Sequence, residues 1–182
     1  MSVKELSGLP AIDEKTGDYT AVIETPKGSR NKYDFDPQIG AFRLKGVLPE
    51  GTSFPYDFGF IPSTLGEDGD PLDVLVLMDA PAPAGCVISV RLIGVIEAKQ
   101  REESGEWVEN DRLLAVATHA HEHSDVKRID DLRPQMVSEI EAFFEHYNRL
   151  RGKEFKPTDR AGPKRAAKLV ERAGEAFRKK RG

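Results

Sequence analysis

Between Tyr19 and Ala117 the chain breaks into short, closely spaced runs of strand-forming residues, with no helical period between the early ones. In Tyr19–Thr25, Tyr19, Ala21 and Ile23 face one way and Thr20, Val22 and Glu24 the other. Lys32–Asp36 alternates in the same manner, with Tyr33 and Phe35 opposite Lys32, Asp34 and Asp36. Further strands are expected at Phe42–Leu48, Asp73–Met78, Val87–Ile96 and Arg112–Ala117, separated by Gly, Pro and charged stretches. A parallel sheet needs long crossovers, usually helical, between its strands. Their absence predicts an antiparallel, closed barrel.

Helical spacing comes late. Met136, Val137, Ile140, Phe143, Phe144 and Tyr147 form one stripe, with Asp130, Asp131 and Pro134 as start signals. A second helix begins near Pro163, its stripe being Ala166, Leu169, Val170, Ala173 and Phe177, and residues 152–162 read as a polar connection. The predicted architecture is α+β: a barrel core with added hairpins and two C-terminal helices, at 134–149 and 163–180. The chain of 182 residues fits one domain, residues 1–182, with 1–17 as an N-terminal extension. No apolar run approaches the roughly 20 residues of a membrane span, and residues 1–10 lack the apolar core of a signal peptide. The single cysteine, Cys86, excludes an internal disulfide framework and predicts a cytoplasmic location.

Charge is unevenly spread. Residues 149–182 carry 13 basic against 4 acidic side chains, leaving 14 basic and 27 acidic in residues 1–148. The acidic body suits divalent cations, and the basic end suits phosphate, nucleic acid or plain solvation. Within the body, Glu67-Asp68-Gly69-Asp70-Pro71-Leu72-Asp73 is the sharpest motif. Closely spaced carboxylates repel unless cations or protons relieve them. Gly69 permits a tight turn, Pro71 fixes φ, and Asp73 opens an apolar strand, an arrangement expected to aim Asp68, Asp70 and Asp73 at one point. A calcium EF-hand is excluded, because Leu72 and Asp73 occupy the positions where that loop needs a ligand and a glycine. An acidic surface turn and a metal-binding loop both remain open on this motif alone. Glu24, the Lys32/Asp34 pair and Asn110-Asp111-Arg112 supply further acid and base on predicted strands. Oxygen donors without Cys or clustered His favour Mg²⁺ or Mn²⁺, and such ions among Lys and Arg point to a phosphate substrate.

These residues, in order, resemble the soluble, Mg²⁺-dependent inorganic pyrophosphatases of family I. The resemblance rests on Val22-Ile23-Glu24, Lys32-Tyr33-Asp34, Phe54-Pro55-Tyr56-Asp57-Phe58-Gly59-Phe60-Ile61-Pro62 and Asp68-Gly69-Asp70-Pro71-Leu72-Asp73. It continues through Asp111-Arg112-Leu113-Leu114-Ala115-Val116 and Phe143-Phe144-Glu145-His146-Tyr147. It implies an OB-like, five-stranded barrel that hydrolyses pyrophosphate to two orthophosphates by a metal-bridged hydroxide, and a homo-oligomer. Asp68, Asp70 and Asp73, with Glu24, Asp34 and Asp111, would ligate Mg²⁺, with Mn²⁺ as substitute, and Asp70 would take the proton of the attacking water. Lys32, Arg112 and Tyr147 would bind phosphate, and Arg43 or Lys45 would stand in for a substrate arginine whose place falls at Gly46. Other departures are Phe54 and Phe58 where bacterial members carry Tyr, Asn110 for an aspartate, Arg112 for a lysine, and Asn148 for a lysine that Arg149 or Lys153 would replace.

Several features are assigned no chemistry. His119, His121 and His123 alternate but lie in a polar stretch beyond a strand, His146 reads as a packing or contact residue, Trp107 as a hairpin-tip aromatic and Cys86 as an inert thiol. Two alternatives to the pyrophosphatase reading are a non-catalytic barrel that binds nucleotide or nucleic acid, and a hydrolase of another small phosphoanhydride. The acidic body and the clustered aromatics of Phe54–Phe60 argue against nucleic acid, and no membrane partner is expected.

Overall fold

The computed structural model describes residues 3–181; residues 1, 2 and 182, which fall in the predicted N-terminal extension and at the end of the chain, lie outside the described residues. After a 3₁₀ turn at Val3–Gly8, the strands are β1 (Tyr19–Thr25), β2 (Asn31–Asp36), β3 (Ala41–Val47), β4 (Asp57–Ile61), β5 (Leu72–Leu77), β6 (Val87–Arg101), β7 (Trp107–Glu109) and β8 (Arg112–Ala117). Helix α1 (Pro134–Leu150), strand β9 (Glu154–Ala161) and helix α2 (Pro163–Arg181) complete the chain. The result is α+β with a core made mostly of sheet.

Five strands pair in a ring, in the order β1-β4-β5-β8-β6, with β6 returning to β1. The expectation of purely antiparallel pairing is corrected at one ladder: β5 and β8 run parallel, with Asp73 opposite Arg112 and Leu77 opposite Val116. Two properties permit this. The chain between the two strands is long enough for a crossover, and it is spent on strands β6 and β7 rather than on a helix. Both strands are also covered on both faces, the usual condition of parallel strands. Leu75 and Leu77 join Ile140 and Phe144 of α1 in one apolar cluster. Val74 and Val76 join Ala166, Leu169 and Val170 of α2 in another. Hence Val74–Leu77 and Leu113–Ala117 read as unbroken apolar runs. Each large side chain buried in this way contributes about 1.5–3 kcal/mol.

Three strands escaped the periodicity. Pro55, Gly59 and Pro62 mask β4, yet Gly59 is what lets β4 approach β1, because a Cβ there would meet the Val22 carbonyl at 1.9 Å. Pro157 masks β9, but β9 pairs only with β6 in the sheet, next to a register shift where a missing N–H is tolerated. β7 has three residues and pairs with the far end of the 15-residue β6, which runs beyond its expected end at Ile96. The hairpin β2–β3 forms a separate two-stranded sheet, and β3 is exposed along almost its whole length.

In α1, Val137, Ile140, Phe144 and Tyr147 are buried at the expected spacing, and Pro134 occupies the first turn, where its missing N–H costs nothing. In α2 the stripe Ala166, Leu169, Val170 and Ala173 is buried, whereas Phe177 is only half-buried, with Arg181 4.7 Å from its ring centroid. The Leu65 N–H donates to the Ala173 carbonyl at 3.0 Å, which ties α2 to the segment leading into the acidic motif. No helix among the described residues is long and apolar enough to cross a membrane.

Candidate active site

Glu24 lies near the end of β1, buried, and accepts the Phe35 N–H at 2.7 Å. Lys32 of β2 is also buried; its Nζ stands 3.9 Å from Glu24, pairs with the Asp34 carboxylate, and lies 4.9 Å from the Phe58 ring centroid. Burial outweighs the attraction of Lys32 and pushes the Glu24 carboxyl up to about 8. Burial also works against the Lys32 ammonium, but Glu24 and Asp34 together hold it above its ordinary value.

The acidic motif folds into a tied loop. The Gly66 N–H donates to the Asp70 carbonyl at 2.7 Å, the Asp70 N–H to Asp68 Oδ1 at 3.1 Å, and Gly69 takes φ +88°. Burial, and next the nearby Asp73 charge, raise the Asp68 carboxyl to about 6. Asp70 is raised by burial and then by Asp34. Asp73 is raised by burial even though Arg112 opposes the shift. The parallel register sets Arg112 beside Asp73, and their ion pair measures 2.7 Å. The Arg112 guanidinium also lies 4.7 Å from the Phe144 ring centroid and 5.0 Å from that of Phe155, and its Nε is buried without a partner. Tyr147, one turn beyond Phe143 on α1, is buried, and its hydroxyl accepts from Arg151 Nη1 at 2.9 Å.

One cleft of about 660 Å³ gathers Glu24, Lys32, Asp34, Lys45, Asp68, Asp70, Asp73, Arg112 and Tyr147. Three of the residues singled out in the sequence, Arg43, Asp111 and Arg149, are not in its lining. Arg43 turns to Asp36, 2.7 Å away on the exposed hairpin. Asp111 accepts the Ala98 N–H at 2.9 Å and lines a smaller neighbouring cleft of about 280 Å³, which shares Glu67, Asp68 and Asp73 with the larger one. Lys153 lines the cleft and pairs with Glu102 at 2.7 Å, whereas Arg149 is exposed, its Nη2 3.0 Å from His146 Nδ1. Gln100, Glu102 and Arg151 also line the cleft, and no motif in the sequence marks them. Gln100 links Glu102 at 2.6 Å and Asn110 at 3.0 Å across the sheet. Arg151 carried one legible signal, its position four residues after Tyr147, on the same side of a helix.

The expected convergence of Asp68, Asp70 and Asp73 is not seen. Among the described residues no three His, Cys, Asp or Glu side chains come together closely enough to hold a metal ion as they stand. The reason is mutual repulsion with local partners within reach: Asp73 leans on Arg112, Asp34 on Lys32 and Asp68 on the Asp70 amide. The cleft is nevertheless lined by eight carboxylates against five Lys and Arg side chains, and it has no Cys or His. Such an excess of carboxylates opposes an anion, and added positive charge relieves the opposition.

A family model described as inorganic pyrophosphatase matches residues 21–178. The chain is 42% identical over 149 residues to an inorganic pyrophosphatase of Synechocystis sp., a match covering 82% of this chain and 85% of that protein. It is 39% identical over 168 residues to an inorganic pyrophosphatase of Streptomyces coelicolor, covering 88% and 96%. The crystal structure of inorganic pyrophosphatase from Thermus thermophilus superposes with a TM-score of 0.86 at 35% identity, over 98% of this chain and 99% of that one. By sequence along most of its length and by fold along nearly all of it, the chain belongs to the inorganic pyrophosphatase family.

Proposed function

We propose that the chain hydrolyses inorganic pyrophosphate to two orthophosphates in this cleft, with Mg²⁺, or Mn²⁺ in its place, held by Asp68, Asp70 and Asp73 and by Glu24 and Asp34 nearby. The observation that carries the reading is the shared lining: carboxylates from β1, β2 and the loop before β5 face the same space as Lys32, Lys45, Arg112 and Tyr147, in a chain of this family. The donor set fits a hard divalent cation, being all oxygen, and the excess of carboxylates fits ions that bring charge with them. When bound, such ions lower the pKa of a water ligand and offset the charge on phosphate oxygens.

The protein's own side chains do the rest. Asp70, exposed to the cleft at the tip of the loop, accepts the proton of the attacking water. The water oxygen bonds to one phosphorus while the bridging P–O bond breaks, and the second orthophosphate leaves with the bridging oxygen. Lys32, Lys45, Arg112 and Tyr147 hold phosphate oxygens and spread the charge that builds on them. Asp111 would reach an ion only from the neighbouring cleft.

Phe54, Phe58 and Phe60 are buried in the core, so they form no platform for stacked bases, which supports an enzyme over a nucleic-acid barrel. The lone Cys86 supports a cytoplasmic enzyme. Exposed Leu44 and Val47 on β3 support self-association, to be checked by light scattering. The deciding experiment is phosphate release from pyrophosphate in Mg²⁺, in Mn²⁺ and in chelator. Release that is fast with the ion and absent in chelator is expected. No release under any condition would overturn the reading, and equal release in chelator would overturn its metal dependence.

A further inference from the structure

Five cations line the cleft: Lys32, Lys45, Arg112, Arg151 and Lys153. Three of them already have a carboxylate within ion-pair distance, Lys32 with Asp34, Arg112 with Asp73 and Lys153 with Glu102. Among the described side chains, those of residues 6–181, no carboxylate oxygen comes within 4.0 Å of the charged nitrogens of Lys45 or Arg151. Lys45 sits on the exposed strand β3, at the end of a mobile four-carbon stem. Arg151 is different. It caps the C-terminus of α1, its Nη1 donates to the Tyr147 hydroxyl at 2.9 Å, and its guanidinium lies over the Tyr147 ring, 5.2 Å from the centroid. One hydrogen bond and one stacked face thus orient the planar fork, which leaves its other donors free for an anion.

We infer that Arg151 is a phosphate-binding residue, which takes one phosphoryl group of the substrate at the rim of the cleft with Tyr147 as its brace. This rests on the proposed pyrophosphatase activity and adds to it a contact outside the acidic loop. A planar guanidinium placed this way matches two oxygens of one phosphate. Because the contact is made with bound substrate and product alike, it acts mainly on binding and less on the chemical step.

The test is steady-state kinetics of Arg151→Gln and Arg151→Lys with pyrophosphate in saturating Mg²⁺, beside calorimetric titration of each variant with inorganic phosphate. Loss of a charge-assisted contact at an exposed rim is expected to raise KM about tenfold and to weaken phosphate binding by about the same factor, with kcat changed less than threefold. Arg151→Lys should recover part of both, and the melting temperature should not move. Arg149→Gln, on the exposed side of α1, should leave all of these values as they are. Tyr147→Phe separates binding from bracing: on that background Arg151→Gln should still raise KM further. If the wild-type chain releases no phosphate, the proposed function fails. If it does and Arg151→Gln leaves KM and phosphate affinity within twofold, or has no added effect beside Tyr147→Phe, the assignment of Arg151 is wrong.

Discussion

The parallel pair β5–β8 and the hairpin β2–β3 both feed charged side chains into the same cleft, yet they hold them in opposite ways. Between β5 and β8 the pairing register alone sets Asp73 beside Arg112, and both strands are covered on each face by helix-bearing apolar clusters. The hairpin has two strands, an exposed outer strand and a bulge between Lys32 and Tyr33. Its inner strand still fixes Lys32, through Glu24, Asp34 and the Phe58 ring, but its outer strand leaves Lys45 to solvent and Arg43 to Asp36. The difference teaches that a charge inside the sheet is part of the fold, whereas a charge on the hairpin's outer strand is an attachment to it.

The largest effect should come from the loop that enters β5. Asp70→Asn keeps the shape and the amide bonds of the loop but loses the basic oxygen, so turnover of pyrophosphate should fall by about 10²–10⁴-fold with the melting temperature unchanged. Retention of most activity would remove the loop from the reaction centre.

Next is the buried pair. Arg112→Met should strand the Asp73 charge and empty the space between Phe144 and Phe155, lowering stability by about 3 kcal/mol, roughly 10 °C in Tm. A variant that melts like the wild type would erase the contrast between sheet and hairpin.

A pH series sharpens the same point. Burial holds Glu24 at about 8 and Asp68 at about 6, both above the usual carboxylate range. A raised acid binds its proton more tightly when folded, so this stability is complete at pH below about 4 and is lost as pH rises through about 6 and then about 8. In chelator, Tm should therefore fall between pH 5 and pH 8.5. Mg²⁺ should flatten the slope by taking the place of the protons, and a metal-free Tm that rose over this range would contradict the assigned burial.

The hairpin should give the smallest effects. Lys45→Ala should raise KM about threefold, sensitive to salt and without a change in Tm, as expected for an exposed charge. Arg43→Ala, whose partner is Asp36, should change KM by less than about twofold. An effect of Arg43→Ala larger than that of Lys45→Ala would mean that the hairpin closes over bound substrate in an arrangement unlike this one.

Much of the molecule could be read along the chain, where the signal is local. Alternation marked β1 and β2, an apolar run marked β8, helical spacing and Pro134 marked α1, and the spacing of Asp68, Asp70 and Asp73 marked a site for charge. Strands whose proline or glycine is excused by a distant neighbour could not be read: β4 needs Gly59 against β1, and β9 tolerates Pro157 because it pairs only with β6. Nor could the parallel direction of β5 and β8, because an apolar run states that both faces are buried and not which way the partner runs. The identities of the cleft residues are thus a property of the sequence. Tertiary structure decided their partners: the register gave Asp73 to Arg112, the approach of β1 to β2 set Glu24 near Lys32, and Asp36 drew Arg43 away. Ion pairs act over a few ångströms of space, and only the folded chain determines which charges come that close.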